Sequence, residues 1–279
     1  MVVAFTSADE STDGWAQPGG AAAAHADETC DDCDGATGFC CEGGGVAACV
    51  VHEIMERTMV ELIGIAGGTG DLGRGLAARW AIAGLPVRIG SRSAERGQTA
   101  AEELAAELPS GAAPVTGGQL AELEGCDIIV LSVPFESVDG TVEAVADAAD
   151  GCTVVSALNP LAFDAAGPYV VPVDGGSVAE QVAARLPTAR VVAGFHTVSN
   201  RQLSQIDRPM DEDVPVVGDD EEAVATVVDL ANRIEGCRGV AVGPLRLAST
   251  LESITPVLIS LNKRHKAHTG IRFSGLHLD

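Results

Sequence analysis

The residues best suited to chemistry form a glycine run, Gly68-Thr69-Gly70-Asp71-Leu72-Gly73, with the spacing G-x-G-x-x-G. That spacing fits a pyrophosphate. The first glycine permits a tight turn and the second lets backbone N–H groups close on the phosphates. The third lets the next helix pack against the preceding strand. The positive end of that helix then faces the anion. The plain alternative is a strand-to-helix turn that binds nothing. The flanks argue against it, because "VELIGIA" (60–66) reads as an apolar strand and "LGRGLAARWAIAGL" (72–85) as a helix.

Which dinucleotide binds is decided at the end of the second strand, "PVRIGSR" (86–92). An Asp or Glu there would hold a ribose 2′-OH and select NAD. The chain instead offers Ser91, Arg92 and Arg96, a hydroxyl and two guanidinium groups that suit a 2′-phosphate. Ser93 adds a second hydroxyl there, and the expected cofactor is therefore NADP, although the stretch would also fit a solvated helix start, to which Glu95 lends weight. A third set, Val133, Pro134 and Phe135, follows the buried strand "CDIIVLSVP" (126–134) and is expected to bound the ribose or the nicotinamide. An ordinary strand-ending proline is the alternative. His196 ends the strand "RVVAGFHTV" (190–198), where it reads as a ring-positioning residue or as a satisfied structural histidine.

These groups must be carried by alternating strands and helices. Further helices are expected at 93–109, 135–149, 176–187 and 221–234, and further strands at 152–160 and 213–220. Such alternation predicts an α/β fold of Rossmann type, a doubly wound and mostly parallel sheet. The stretch 243–276 reads as one longer helix. Leu251, Ile254, Leu258 and Leu261 share a face, Ser249 or Thr250 caps it, and Pro256 is tolerated only at a kink or near the start. The division expected is an extension at 1–58, an NADP-binding domain at 59–242 and a small C-terminal helical element at 243–279.

The chain has 279 residues and a net charge of -23, from 40 acidic and 17 basic residues. That balance argues against nucleic acid and against anionic membranes as partners. It suits a protein kept soluble in concentrated salt, which points to a halophilic cytoplasm. No apolar run reaches the roughly 20 residues needed to cross a bilayer. The start, "MVVAFTSADESTDGW", lacks a basic region and reads as a poor secretory signal.

Residues 1–58 hold eleven acidic residues and one basic residue, Arg57, with almost no Leu or Ile. Such a composition predicts disorder. Five of the eight cysteines lie there. Cys30, Cys33, Cys40 and Cys41 offer one C-x2-C pair followed by C-C, a weak match to zinc or iron–sulfur spacing. Cys126, Cys152 and Cys237 read as core residues in a reducing cytoplasm.

From Met59 onward the chain resembles the archaeal F420-dependent NADP reductases. The resemblance rests on "IAGGTGDLGRGLAARWAIAG", "VRIGSRSAERG", "CDIIVLSVPFESV", "VVAGFHTV", "DVPVVGDDEEA", "GPLRLASTLESITPVLISLN" and "GIRF", in family order. It implies NADP on the glycine turn and coenzyme F420, a deazaflavin, in a cleft completed by the C-terminal element. Phe195, His196 and Thr197 would lie near the paired rings. A homodimer is also implied. Two features depart from the family pattern, the extension at 1–58 and the basic run "NKRHKAH" (262–268). That run reads either as a solvated helix end or as a landing site for the anionic side chain of F420. Two other functions fit parts of the chain. One is an NADPH-dependent reductase of a small imine or carbonyl, of the pyrroline-carboxylate reductase kind. The other is a non-catalytic NADP-binding redox sensor.

Overall fold

Short apolar runs build the sheet. IGIA, IIVL and TVVS are buried along their whole length, as parallel strands covered by helices on both faces must be. The computed structural model describes residues 60–277, and the elements below belong to that range. The first half runs β1 (Ile63–Ala66), α1 (Asp71–Ile82), β2 (Val87–Ser91), α2 (Ala94–Glu107), β3 (Val115–Gln119), β4 (Ile128–Leu131) and α3 (Val138–Val145). It continues with β5 (Thr153–Ser156), a hairpin of β6 (Leu161–Asp164) and β7 (Gly167–Val170), α4 (Val178–Arg185), β8 (Arg190–Ala193) and α5 (Asn200–Leu203). The last elements are β9 (Glu212–Gly218), α6 (Glu221–Asn232), β10 (Cys237–Gly243) and α7 (Ala248–His265).

The main sheet has eight strands in the order β10-β9-β8-β5-β4-β1-β2-β3. Every pair in it is parallel except β8 with β9. This is the doubly wound architecture expected from the sequence. One face buries Leu76 and Trp80 of α1, Leu104 of α2 and Val227 of α6. The other buries Val142 of α3, Val182 of α4 and Ala248 of α7. The chain reverses direction in the sheet between β1 and β4, where open α/β folds bind ligands.

The structure adds β3, the hairpin, α5 and β10 to the elements read from sequence. The strand β3 reads VTGGQ, and its glycines hide it from a β-propensity argument. Those glycines are needed by α2. A Cβ on Gly97 would strike the Gly118 carbonyl oxygen, and one on Gly117 would strike that of Gly97.

The terminal helix is shorter than the expected 243–276, and Pro256 is buried at its ninth position rather than near its start. No side chain caps it, because it continues a 3-10 turn at Leu245–Leu247. Packing holds it in place. Leu258 is buried, Leu251 and Ile254 are half-buried, and Leu261 is exposed. Buried Glu252 accepts from the N–H groups of Val178 and Ala179, both at 3.0 Å, and so joins α7 to the start of α4. Burial pushes this carboxyl up to about 7, while the two N–H donors pull it back down.

No helix among the described residues is long and apolar enough to cross a membrane. The expected extension, with Cys30, Cys33, Cys40 and Cys41, lies outside the described residues. Within them, no group of three or more His, Cys, Asp or Glu is placed to hold a metal. Cys126 is buried and Cys152 and Cys237 are half-buried. Burial raises all three thiols, Cys126 to about 11 and Cys237 to about 12, so they stay protonated and inert.

Candidate active site

A cleft of about 230 Å³ opens at the carboxyl ends of β1, β2 and β4. Its walls include Thr69, Gly70, Ser91, Arg92, Arg96, Val133 and Pro134, seven of the residues singled out from sequence. Phe135 opens a short 3-10 turn beside it and is half-buried. The cleft also uses Ser132, Ser137, Thr141 and Leu120, which the sequence reading missed. Leu120 follows the unrecognised strand β3, and the three hydroxyls stand on segments whose pattern shows only burial.

The glycine turn is built for close approach at three positions and for open space at a fourth. Gly67 has φ 98°, a conformation that favours glycine. A Cβ on Gly68 would lie 2.8 Å from a methyl of Ile89. One on Gly73 would lie 2.6 Å from Ser132 Oγ and 2.8 Å from the Gly67 carbonyl oxygen. Gly70 differs, because its Cβ would meet only the Gly67 carbonyl oxygen, at 3.4 Å. The fold itself leaves room for a side chain at Gly70, so the bare backbone there stays open to close approach from the cleft. Asp71 and Leu72 open α1, whose N-terminus carries no side-chain cap. Its free N–H groups remain for an anion.

Arg92 and Arg96 flank this turn. Both are exposed, and among the described residues neither has a carboxylate within 4.0 Å. Ser91 is 8% exposed at the end of β2. Ser93 caps α2 by accepting from the Arg96 N–H. The site thus holds uncommitted positive charge and no acid at the position that selects NAD. A wider cleft of about 450 Å³ lies between α1, α2 and α5. Arg74 in its wall is already paired with Glu107 at 2.8 Å.

The carboxyl edge continues from β4 to β8 through two bonds. The Ala157 N–H donates to the Leu131 carbonyl at 3.0 Å, and the Gly194 N–H to the Ser156 carbonyl at 3.1 Å. Three strand spacings separate β1 from β8, roughly 14 Å. At the far end stand His196 and Thr197. Among the described residues, the polar side-chain atoms of Ser156, His196 and Thr197 are buried without hydrogen-bond partners, including both nitrogens of the imidazole. Burial pushes the His196 pKa down to about 4, so the ring is neutral at pH 7 and offers one donor and one acceptor. Buried polar groups are nearly always paired. Four polar atoms on adjacent strand ends stand buried and unpaired among the described residues.

Phe195 is placed differently from its neighbours. Its φ of 64° turns the ring away into the core. There it meets Trp80 edge-on, with centroids 5.6 Å apart. Its side chain is fully buried, so only its backbone is left to face a ligand. The Thr255 hydroxyl of α7 donates to the His196 carbonyl at 3.0 Å and stands 2.8 Å from the Asn159 side-chain amide. The helix α5 follows directly. Its loop is held by the buried Arg79, which donates to the carbonyls of Gln202, Leu203, Gln205 and Arg208.

A glycine turn between β1 and α1, at the point where the strand order reverses, defines a Rossmann-type dinucleotide-binding protein. Residues 62–160 match the family described as NADP oxidoreductase, coenzyme F420-dependent. The chain is 39% identical over 224 residues to the F420-dependent NADP reductase of Methanocaldococcus jannaschii, covering 77% of this chain and 99% of that one. It is 35% identical over 228 residues to the enzyme of the same name from Methanothermobacter thermautotrophicus, covering 80% and 98%. The chain belongs to the F420-dependent NADP reductase family. A solved candidate F420-dependent NADP reductase from an Arthrobacter species superimposes with a TM-score of 0.62 at 26% identity, over 74% of this chain and 95% of that one. A Sinorhizobium meliloti protein of unassigned function shares the fold, with a TM-score of 0.54 at 24% identity over 73% and 92%.

Proposed function

We propose that the protein is an oxidoreductase that transfers a hydride between coenzyme F420 and NADP. The observation that carries this reading is the arrangement of two unlike sites along one sheet edge. An anion cradle lies at β1 and β2, and buried orphan polar atoms lie at β5 and β8. Thr69 and Gly70 hold the pyrophosphate, on a turn shaped by Gly68, Asp71, Leu72 and Gly73. Ser91, Arg92 and Arg96 hold the 2′-phosphate. Val133, Pro134 and Phe135 bound the nicotinamide half.

The deazaflavin and the nicotinamide supply the redox chemistry, since each accepts or gives a hydride. The chain aligns the two rings and keeps water away. Neutral His196 and the Thr197 hydroxyl bond ring or carboxamide groups, and their burial excludes solvent. Phe195 acts through the backbone turn that aims them. No side chain is needed as acid, base or nucleophile. The element at 243–279 completes the F420 cleft through α7, whose Thr255 supports His196 from below.

The exposed Phe163, Tyr169, Val257 and Leu261 place an apolar face on the hairpin and α7. That face supports a homodimer. The charge of -23 supports life in a salt-rich cytoplasm. Mixing purified protein with NADPH and F420 tests the proposal. Bleaching of the F420 absorbance band is expected, and NADPH binding without bleaching would favour the sensor reading.

A further inference from the structure

The chain contains two lysines, Lys263 and Lys266, and both stand at the C-terminal end of α7. Both are exposed, with Arg264 and His265 between them. Elsewhere about half of the described arginines are paired with a carboxylate. Arg74, Arg185, Arg190, Arg208, Arg233, Arg238 and Arg272 each have a carboxylate within 4.0 Å, whereas among the described residues Lys263, Arg264 and Lys266 have none, like Arg92 and Arg96 at the nucleotide cleft. Cations at a helix end answer its dipole. That role alone explains neither why they are lysines in a chain otherwise without them nor how firmly the stretch is fixed.

Its two ends are tied to the active site. Before it, Thr255 donates to the His196 carbonyl. After it, the Gln202 side chain of α5 donates to the His268 carbonyl. Asn262 accepts from both the N–H and the hydroxyl of Thr269, at 2.7 and 2.8 Å. The Asp213 N–H then donates to the Ile271 carbonyl at 2.6 Å. The lysines therefore sit on a bridge between α7 and α5, the two elements that flank His196. Eight helical residues separate Thr255 from Lys263, roughly 12 Å at 1.5 Å per residue. Three or four extended, residue-sized units span that distance. Arg264 points elsewhere, into a cleft of about 390 Å³ shared with Pro168 of the hairpin.

We propose that Lys263 and Lys266 form the landing site for the anionic phosphate-and-glutamate side chain of the deazaflavin. This rests on the F420 reading above. That side chain starts at the ring and carries a phosphodiester followed by carboxylates, so its charges fall at the distance of the lysines when the ring lies at His196. The lysines then select the complete coenzyme over its bare ring.

The test is a fluorescence titration of F420, and of its tail-less ring analogue 8-hydroxy-5-deazariboflavin, into the full chain saturated with NADP at about 0.15 M salt. Wild type should bind F420 roughly tenfold more tightly than the analogue, as two exposed ion pairs allow. The double variant Lys263→Gln, Lys266→Gln should lose that preference, with Kd for F420 rising to that of the analogue and Kd for the analogue unchanged. Arg264→Gln should retain most of the preference. In wild type, raising the salt should weaken F420 but not the analogue. If the double variant keeps the wild-type Kd for F420, or loses both ligands equally, the landing site is refuted. If the analogue binds wild type and bleaches with NADPH but F420 binds no better, the reductase reading stands and this inference falls. Wild type that binds neither overturns both.

Discussion

Removing Arg92 and Arg96 together should convert a selective NADP site into an indifferent one. Both side chains are exposed and have no carboxylate partner among the described residues, so a 2′-phosphate bound there would meet their full charge. A charge-assisted hydrogen bond contributes about 1.5–3 kcal/mol, and exposure places these at the lower end. Two such contacts sum to about 3 kcal/mol, or roughly a hundredfold. The double variant Arg92→Ala, Arg96→Ala should therefore raise the KM for NADPH by about two orders of magnitude and leave the KM for NADH and the kcat nearly unchanged. The assay is steady-state F420 reduction with each nucleotide at about 0.1 M salt. Repeating it near 1 M, where screening acts within about 3 Å, should shrink the effect. An equal loss with NADH and NADPH would mean that the arginines support the fold or the pyrophosphate. No loss at all would place the 2′-phosphate elsewhere.

The glycine turn separates binding from folding. Gly70→Ala should melt within a few degrees of wild type yet weaken NADPH at least tenfold, because its Cβ meets little protein and fills the phosphate cradle. Gly73→Ala drives a Cβ to 2.6 Å from Ser132 Oγ, so it should cost about 1–3 kcal/mol and lower the Tm by several degrees. Identical melts for the two variants would contradict this. Burial raises the carboxyls of Glu212 and Glu252 from 4.5 to about 7. A raised folded value means stability that is complete below about 4.5 and lost as pH rises through 7. Glu252→Gln should flatten the fall in Tm between pH 5 and 8, though it leaves one N–H of α4 without an acceptor; a fall as steep as in wild type would contradict the assignment.

Much of the nucleotide half was legible because its chemistry is local. The glycines, Ser91, Arg92, Arg96 and Pro134 lie within a few residues of strand ends that hydrophobic runs identify, and they converge on one cleft. The other half depends on contacts between distant residues. The inward turn of Phe195 follows from its φ of 64° and from Trp80 on α1, more than a hundred residues earlier in the chain. Ser156 looks like any small residue until β8 is laid beside β5 and its hydroxyl is left without a partner. The sequence pattern overstates the terminal helix and points to a hydroxyl cap that the helix does not use. Its true boundaries are set by a 3-10 turn and by Lys266, which adopts a left-handed conformation at φ 53°. The strand β3 escaped notice because the glycines that admit α2 remove the side chains that advertise a strand.

The most direct test of the central claim follows the hydrogen itself. NADPH carrying deuterium at the transferred position of its nicotinamide is mixed with F420 and the enzyme, and the reduced deazaflavin is analysed by mass. Direct ring-to-ring transfer in a site closed to water predicts that the deuterium appears on the deazaflavin carbon, with no label taken up when the same reaction runs in heavy water with ordinary NADPH. Label lost to solvent, or no reduction of F420 at all, would contradict it.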